Sequence, residues 1–265
     1  MMEKMIFGRY IPVDSPLHKM DSRAKLLTII IFIAIVFFAN NVITYSLLGL
    51  FTLLAILSSN IPIKFLFNGL KFLFWIILFT FLLHIFFTKE GDIIFKLGFI
   101  TIYEYGLRQA IFISLRFFFL ILVTSLLTLT TTPIEITDGI ESLLKPLKKV
   151  KFPVHELALM MSIALRFIPT LMDETDKIMK AQMARGVDFS EGSLKERASA
   201  VVPLLIPLFI NAFKRAEELA TAMEARGYRG GEGRTKYRLL KWGKIDTIVM
   251  LLLLLVTVLL ILFRS

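Results

Sequence analysis

One six-residue motif occurs twice in the chain and holds the residues best suited to docking a partner. It has the pattern Ala-x-x-Ala-Arg-Gly, and its copies are Ala181-Gln-Met-Ala184-Arg185-Gly186 and Ala222-Met-Glu-Ala225-Arg226-Gly227. Arginine presents a planar fork of donors that fits a carboxylate, and neighbouring alanines keep the surface slim. Arginine followed by glycine is also an ordinary helix ending. Because the motif is duplicated, we favour a repeated contact over two unrelated helix ends.

The composition is that of a polytopic membrane protein. Of 265 residues, 56% are hydrophobic, and the mean hydropathy is +0.74, outside the range of soluble domains. The net charge of +10 would suggest nucleic acid in a soluble protein, but cytoplasmic loops of membrane proteins collect Lys and Arg. The lack of cysteine excludes disulfides and thiolate chemistry. We therefore expect a lipid bilayer, and no nucleic acid, around this chain.

Apolar runs divide the chain into four regions, and the predicted fold class is all-α with about five transmembrane helices. We predict a cytoplasmic lead-in over 1–25, a four-span region over 26–131, a cytoplasmic region of long helices over 132–244 and a final span over 245–265. The first four spans are Leu26–Ala39, Val42–Leu57, Gly69–Thr88 and Gly106–Thr131. The lead-in shows no cleavable signal peptide, and residues 89–105 allow a short hairpin outside the membrane.

Loop charge predicts the orientation in the cell membrane. Lys and Arg are concentrated in the lead-in and in the 58–71 connection, whereas acids balance the lysines of the 89–105 loop. Positive loops stay in the cytoplasm, so the N-terminus and the long-helix region are predicted to be cytoplasmic and the C-terminus outside. Arg116, deep in the fourth span, is expected to face another helix or subunit. His84 is expected to be a packing or interface residue.

Two further apolar stretches, Leu157–Met172 and Ala198–Phe213, are not predicted to cross. If both crossed, they would place Arg185 and several lysines outside the cell, and prolines interrupt them. We predict two long helices at the cytoplasmic surface, from about Val154 to Gly186 and Ser193 to Gly227. A helix of ~34 residues is ~50 Å long at ~1.5 Å per residue. The two arginines should therefore lie tens of ångströms apart, which suits a partner of two like subunits.

Enzymatic function is not indicated by any motif. The three histidines are scattered without metal-ligand spacing, and the glycine-rich stretch Gly227–Lys236 lacks Gly-Lys-Ser/Thr in P-loop order. Asp173, Glu174 and Asp176 are weighed as part of a membrane-embedded transferase, but a solvated helix face is favoured. A self-sufficient secondary transporter is the other alternative. Such transporters usually repeat bundles inside the membrane, whereas the repeated element here is predicted to lie outside it.

The sequence is similar to the T component of energy-coupling-factor transporters, the EcfT/CbiQ family of ABC-type importers. Several motifs spread over almost the whole chain carry this resemblance. They are Gly8-Arg9-Tyr10, Asp14-Ser15-Pro16-Leu17-His18, Asp21-x-Arg23-x-Lys25, Thr132-Pro133-x-Glu135 and the two Ala-Arg-Gly endings.

The resemblance implies a non-catalytic scaffold that couples ATP hydrolysis to the uptake of a vitamin or a metal ion. Two partner ATPase subunits would bind ATP and Mg, and this chain would hold no cofactor or metal. The ATPases would dock at two sites: Ala184, Arg185 and Gly186, and Ala225, Arg226 and Gly227. A separate S component would capture the substrate and contact the apolar face of the long helices, at Leu204, Leu205, Leu208 and Phe209.

Overall fold

The structure, a computed structural model, describes residues 10–97, 100–189, 193–230 and 238–264. Chain contacts divide it into two compact units. The span unit comprises Gly8–Ser142 and Leu240–Ser265, and the long-helix unit contains Leu143–Leu239. The final span thus belongs with the preceding spans. The four-region division by membrane side stays a prediction.

The chain is almost entirely helical, as predicted. The helices and strands are, in chain order, α1 Ser22–Val36, α2 Val42–Ser59, α3 Ile63–Phe87, β1 Ile93–Leu97, β2 Ile100–Tyr103, α4 Glu104–Thr130, α5 Pro133–Leu144, a 3-10 helix Lys145–Val150, α6 Val154–Ala184, α7 Leu194–Ala225 and α8 Lys244–Leu262.

A polar turn at Asn40-Asn41 joins α1 to α2. The backbone N–H of Thr44 donates to Asn41 Oδ1 at 2.9 Å, and the Asn41 N–H donates to Thr44 Oγ1 at 3.1 Å. This reciprocal capping box satisfies donors that the first turn of α2 leaves free. The predicted hairpin is also confirmed, because β1 and β2 pair antiparallel with Ile93 opposite Tyr103 and Leu97 opposite Ile100.

The core of the span unit lies where α1, α2, α4 and α8 meet. Its fully buried side chains include Phe32 of α1, Leu48 of α2, and Leu253 and Leu260 of α8, with Phe119 of α4 packed among them. Large apolar side chains also cover the outside, and Trp75 is 69% exposed. Apolar surface of this extent is what a lipid-facing bundle requires.

Among the described residues, five helices are long and apolar enough to cross a membrane, which matches the predicted number. Their membership differs from the prediction. They are Val42–Ser59, Glu104–Thr130, Val154–Ala184, Lys195–Ala225 and Lys244–Leu262. α1 has only 15 residues, and α3 contributes the shorter apolar stretch Leu73–Phe87. α6 and α7 are the least apolar of the five and the most amphipathic, so a position at the membrane surface stays a prediction for both.

Candidate docking site

Both copies of the repeated motif end a long helix, as predicted. α6 ends at Ala184 and α7 ends at Ala225, so that Arg185 and Arg226 are the two C-cap residues. Their backbone angles are nearly the same, with φ −88° and ψ 5° at Arg185 and φ −86° and ψ 7° at Arg226. The two endings therefore present their arginines in the same local geometry.

The first ending is a Schellman motif. The N–H of Val187 donates to the carbonyl of Gln182 at 3.0 Å, and the N–H of Gly186 donates to the carbonyl of Met183 at 3.0 Å. These are the two bonds, six-to-one and five-to-two, that define this helix ending. They satisfy carbonyls that the last turn would otherwise leave free.

The second ending repeats the same pair of bonds. The N–H of Tyr228 donates to the carbonyl of Met223 at 3.0 Å, and the N–H of Gly227 donates to the carbonyl of Glu224 at 2.8 Å. Gly186 and Gly227 have φ of +88° and +75°, which favours glycine because a Cβ is strained there. Nothing lies within 4 Å of a Cβ built on either glycine, so the surroundings of both endings are open.

Both arginine side chains are exposed and available to a partner. The alanine before each arginine and the glycine after it are exposed as well. Neither guanidinium makes a hydrogen bond or an ion pair with any residue that the structure describes. Each motif thus offers an unpaired planar donor group on a slim, rigid helix end.

Packing of α6 against α7 sets the distance between the arginines. Gln182 Nε2 of α6 donates to the Pro203 carbonyl of α7 at 3.2 Å. Glu174, earlier in α6, pairs with Arg215, later in α7, so the helices run antiparallel. Arg185 lies three residues beyond Gln182, whereas Arg226 lies 23 residues beyond Pro203. That length of helix is about 35 Å at ~1.5 Å per residue, so the antiparallel packing is consistent with the predicted separation of tens of ångströms.

The four residues predicted to contact the S component differ in exposure. Leu205 and Phe209 of α7 are 40% and 59% exposed, whereas Leu204 is only 8% exposed. Leu208 is half-buried. A partner on this face would therefore meet Leu205 and Phe209 first, while Leu204 packs inside the long-helix unit.

The lead-in motif Asp21-x-Arg23-x-Lys25 forms a buried polar cluster that the sequence reasoning did not find. Asp21 caps α1 by accepting the Arg23 N–H at 2.8 Å, and its carboxylate also pairs with the Arg23 guanidinium at 2.8 Å. The Asp21 N–H donates to Asp246 Oδ1 of α8 at 2.9 Å. Lys25 Nζ donates to the Thr130 carbonyl at the end of α4, also at 2.9 Å. The cluster therefore ties three helices of the span unit together.

This cluster also changes the proton affinity of Asp21. Burial of the carboxyl raises its pKa, but the hydrogen bonds and charge of Arg23, with the charge of Lys25, outweigh burial and hold the pKa below its ordinary value. A charged run followed by an apolar helix could have hinted at the cluster, but its partners lie far away in sequence. Gly8 and Arg9, which also carried the resemblance, lie outside the described residues.

Two more motifs of the sequence take defined places in the span unit. The Thr132 N–H donates to Glu135 Oε2 at 3.0 Å and the Glu135 N–H donates to Thr132 Oγ1 at 3.3 Å, so the Thr132-Pro133-x-Glu135 motif forms a capping box at the start of α5. Arg116 of α4 faces the end of α1, where its Nη2 donates to the Ala39 carbonyl at 3.2 Å. His84 lies half-buried in the last turn of α3.

The described part of the chain contains no group of His, Asp and Glu side chains placed to hold a metal ion. The candidate docking site consists of two exposed guanidiniums, each on a rigid helix end. Asp173 is exposed on α6, while Glu174 is engaged with Arg215.

Comparison with known proteins identifies the family. The model of the family CbiQ, described as "Cobalt transport protein", matches residues 14–237. The chain belongs to the CbiQ family. The matched range includes both Ala-Arg-Gly endings and most of the lead-in cluster, and therefore joins both structural units in one family pattern.

Individual relatives match this CbiQ-family chain over its whole length. A protein of Bacillus subtilis (strain 168), named "Energy-coupling factor transporter transmembrane protein EcfT", is 66% identical over 265 residues, which is all of both chains. A protein of the same name from Listeria innocua is 56% identical over 265 residues, again all of both chains. A third, from Exiguobacterium sibiricum, is 56% identical over 98% of this chain and 99% of its own.

Proposed function

We propose that this chain is the transmembrane energy-coupling subunit of an energy-coupling-factor importer. Relatives named "Energy-coupling factor transporter transmembrane protein EcfT" match it from end to end, one at 66% identity. The observation that carries the assignment of roles is the pair of exposed, unpaired arginines on two like helix ends. A subunit that binds two like ATPase subunits needs two like contact sites, and the two helix endings have the required repetition.

The partners in this proposal are two ABC ATPase subunits. Each would present an acidic groove, into which Arg185 or Arg226 inserts and forms a bidentate pair with a carboxylate. The antiparallel α6 and α7 hold the two arginines about 35 Å apart, too far for one arginine to serve both grooves. ATP and Mg bind to the ATPases, so the chain itself is non-catalytic and needs no cofactor.

Energy transfer in this proposal is mechanical. When ATP draws the two ATPases together, the arginine ends move relative to each other, and the long helices carry that movement away from the motors. The exposed apolar face around Leu205 and Phe209 then acts on the S component, which holds the substrate. The S component sets whether a vitamin or a metal ion is imported.

This mechanism requires α6 and α7 on the cytoplasmic side, because ATPases act there. Support comes from charge and amphipathicity. Both helices carry Lys and Arg among their polar residues, and both are more amphipathic than α2, α4 and α8. The N-terminus would then be cytoplasmic, and α1, α2, α3, α4 and α8 would be the five spans of a cell-membrane protein.

Charge reversal at both arginines tests the docking role. We expect Arg185→Glu with Arg226→Glu to abolish co-purification of the ATPases, because two desolvated ion pairs become repulsive; each hot-spot residue contributes about 2 kcal/mol or more. Pull-down from detergent and ATP-dependent uptake in proteoliposomes are the measurements. Lys145→Glu with Lys148→Glu is the matched control, since both lysines are exposed in the same unit and the net charge changes equally. An intact, fully active complex in the double arginine variant would refute docking.

Activity of the isolated chain separates this proposal from its alternatives. A secondary transporter would move substrate through proteoliposomes without ATPases or ATP, and a membrane-embedded transferase would turn over nucleotide with Mg²⁺ alone. We expect neither activity from the purified chain. Full uptake by the chain alone would replace the coupling role with that of a transporter.

A further inference from the structure

Three arginines line one cavity of the span unit, far in sequence from the repeated motif. The cavity has a volume of about 430 Å³ and is lined by Arg108 and Arg116 of α4, Arg264 after α8, and Tyr45 of α2. None of the described residues that line it is acidic. Like charges that line one cavity repel one another, so a negative group that enters the cavity would be favoured.

Two buried donors of this cluster have no acceptor among the described residues. Tyr45 is only 3% exposed, and its hydroxyl donates to no acceptor in the described part of the chain. The buried Nε of Arg116 is also without a partner there, although its Nη2 donates to the Ala39 carbonyl. A buried donor without an acceptor costs about 1–3 kcal/mol. An acceptor that enters the cavity would satisfy both groups.

Each of the three guanidiniums lies over an aromatic ring. Arg108 lies over Phe112 at 5.4 Å, Arg116 over Phe37 at 5.3 Å and Arg264 over Phe38 at 5.2 Å, each measured from Cζ to the ring centroid. Stacking uses the face of a guanidinium and leaves its N–H groups pointing outward in the plane. Three such forks suit an anion with several oxygens, such as phosphate.

The position of the cavity indicates where a phosphate would come from. α1 ends, α2 begins and α8 ends beside it, so the cavity lies where the apolar layer of the bundle gives way to polar surroundings. Tyr105, which also lines the cavity, is 43% exposed. Exposed tyrosine rings are typical of the membrane interface, at the depth of lipid headgroups.

We propose that the cluster of Arg108, Arg116, Arg264 and Tyr45 binds a phosphate group, supplied by the headgroup of a membrane phospholipid. The phosphate oxygens accept hydrogen bonds from the three guanidiniums and from the Tyr45 hydroxyl, and the acyl chains lie along the exposed apolar side chains of the bundle. This site is independent of ATPase docking, because it lies in the span unit and uses none of the motif residues.

Thermal unfolding of the purified full-length chain in detergent tests the site with three probes. The probes are a phosphatidylglycerol, the diacylglycerol with the same acyl chains, and inorganic phosphate. We expect phosphatidylglycerol to raise the Tm and diacylglycerol, which lacks the phosphate, to leave it unchanged. An equal shift from diacylglycerol would overturn the site. A full shift from inorganic phosphate alone would overturn the lipid as its source.

Variants then connect the shift to the arginines. Arg108→Gln with Arg264→Gln removes two exposed side chains and should weaken phosphatidylglycerol binding by roughly tenfold or more, since hydrogen bonds to charged groups are strong. Arg229→Gln with Arg238→Gln changes the net charge equally in the other unit and should not. Circular dichroism checks that the helices persist; if the double variant loses them, Arg264→Gln alone at the chain end replaces it. Unchanged binding by folded variants would refute the assignment.

Discussion

Gly186 and Gly227 show how single residues shape both candidate docking sites. Each adopts a positive φ just beyond a helix, and each N–H closes the five-to-two bond of its ending. The space around both glycines is open. A side chain at either position would therefore be disfavoured by backbone conformation alone, without any steric clash.

Substitution of these glycines should loosen the helix ends. Gly186→Ala or Gly227→Ala is expected to cost about 1 kcal/mol, because alanine is strained in the left-handed region. Hydrogen–deuterium exchange of the amides at 186–187 or 227–228 should become correspondingly faster. Asparagine tolerates this region better, so Gly186→Asn is the control and should exchange more slowly than Gly186→Ala. Equal exchange in wild type and alanine variants would contradict the cap.

Asp21 carries the other residue-scale prediction, which concerns pH. Asn also caps helices well, so Asp21→Asn keeps the cap but removes the charge that pairs with Arg23. We expect a loss of about 1–2 kcal/mol at neutral pH. Because the folded pKa of Asp21 is below its ordinary value of 3.8, its contribution is complete above that pH and disappears as pH falls through the folded pKa.

Thermal unfolding in detergent between neutral pH and pH 3 measures this difference. Wild type and Asp21→Asn should differ most at neutral pH and converge in acid. A difference that grows as pH falls would mean that the charge of Asp21 does not stabilise the fold.

At the scale of elements, α3 and α4 approach each other closely around one glycine. A Cβ built on Gly106, in the first turn of α4, would lie 2.8 Å from the Thr88 carbonyl oxygen at the C-cap of α3. The obstacle is backbone, which cannot rotate away as a side chain can. The contact limits how closely α4 can approach the end of α3.

Gly106→Ala should therefore destabilise the protein although alanine favours helices. We expect a cost of about 1–3 kcal/mol from the forced separation of α3 and α4, seen as a lower Tm of the purified chain. Gly243→Ala is the matched control: a Cβ there would lie 3.5 Å from Asp246 Oδ2, an ordinary contact. A Tm for Gly106→Ala as high as that of the control would show that the backbone relaxes at little cost.

At the scale of the whole molecule, the central question is which helices cross the membrane. α6 and α7 are long and apolar enough to span a membrane, as α2, α4 and α8 also are. The proposed coupling to cytoplasmic ATPases requires α6 and α7 in the cytoplasm. The chain contains no cysteine, so single cysteines can be introduced and labelled without background.

Labelling with a membrane-impermeant maleimide in intact cells should distinguish the two topologies. Lys89→Cys, between α3 and β1, is expected to react from outside. Lys180→Cys, exposed near the end of α6, should react only after the cells are opened, because a polar helix end that carries positive charge stays inside. Lys148→Cys, exposed in the 3-10 helix, is the reference for an internal position. Reaction of Lys180→Cys in intact cells would place α6 across the membrane.

The sequence by itself determined the helical class and the ends of the two long helices. These depend on bonds between residues three to five positions apart, which local order settles. Hydrophobic runs likewise indicated the number of candidate spans, although not their membership, because α6 and α7 are long enough to qualify on length.

Only the tertiary structure decided which distant groups meet. Asp21 meets Asp246, Lys25 meets the Thr130 carbonyl, and Arg108, Arg116 and Arg264 surround one cavity. The antiparallel packing of α6 and α7 likewise set the span between Arg185 and Arg226. Such contacts depend on how helices fold back on one another, and hydrophobic burial, which drives that packing, is non-directional and leaves no short-range pattern in the chain.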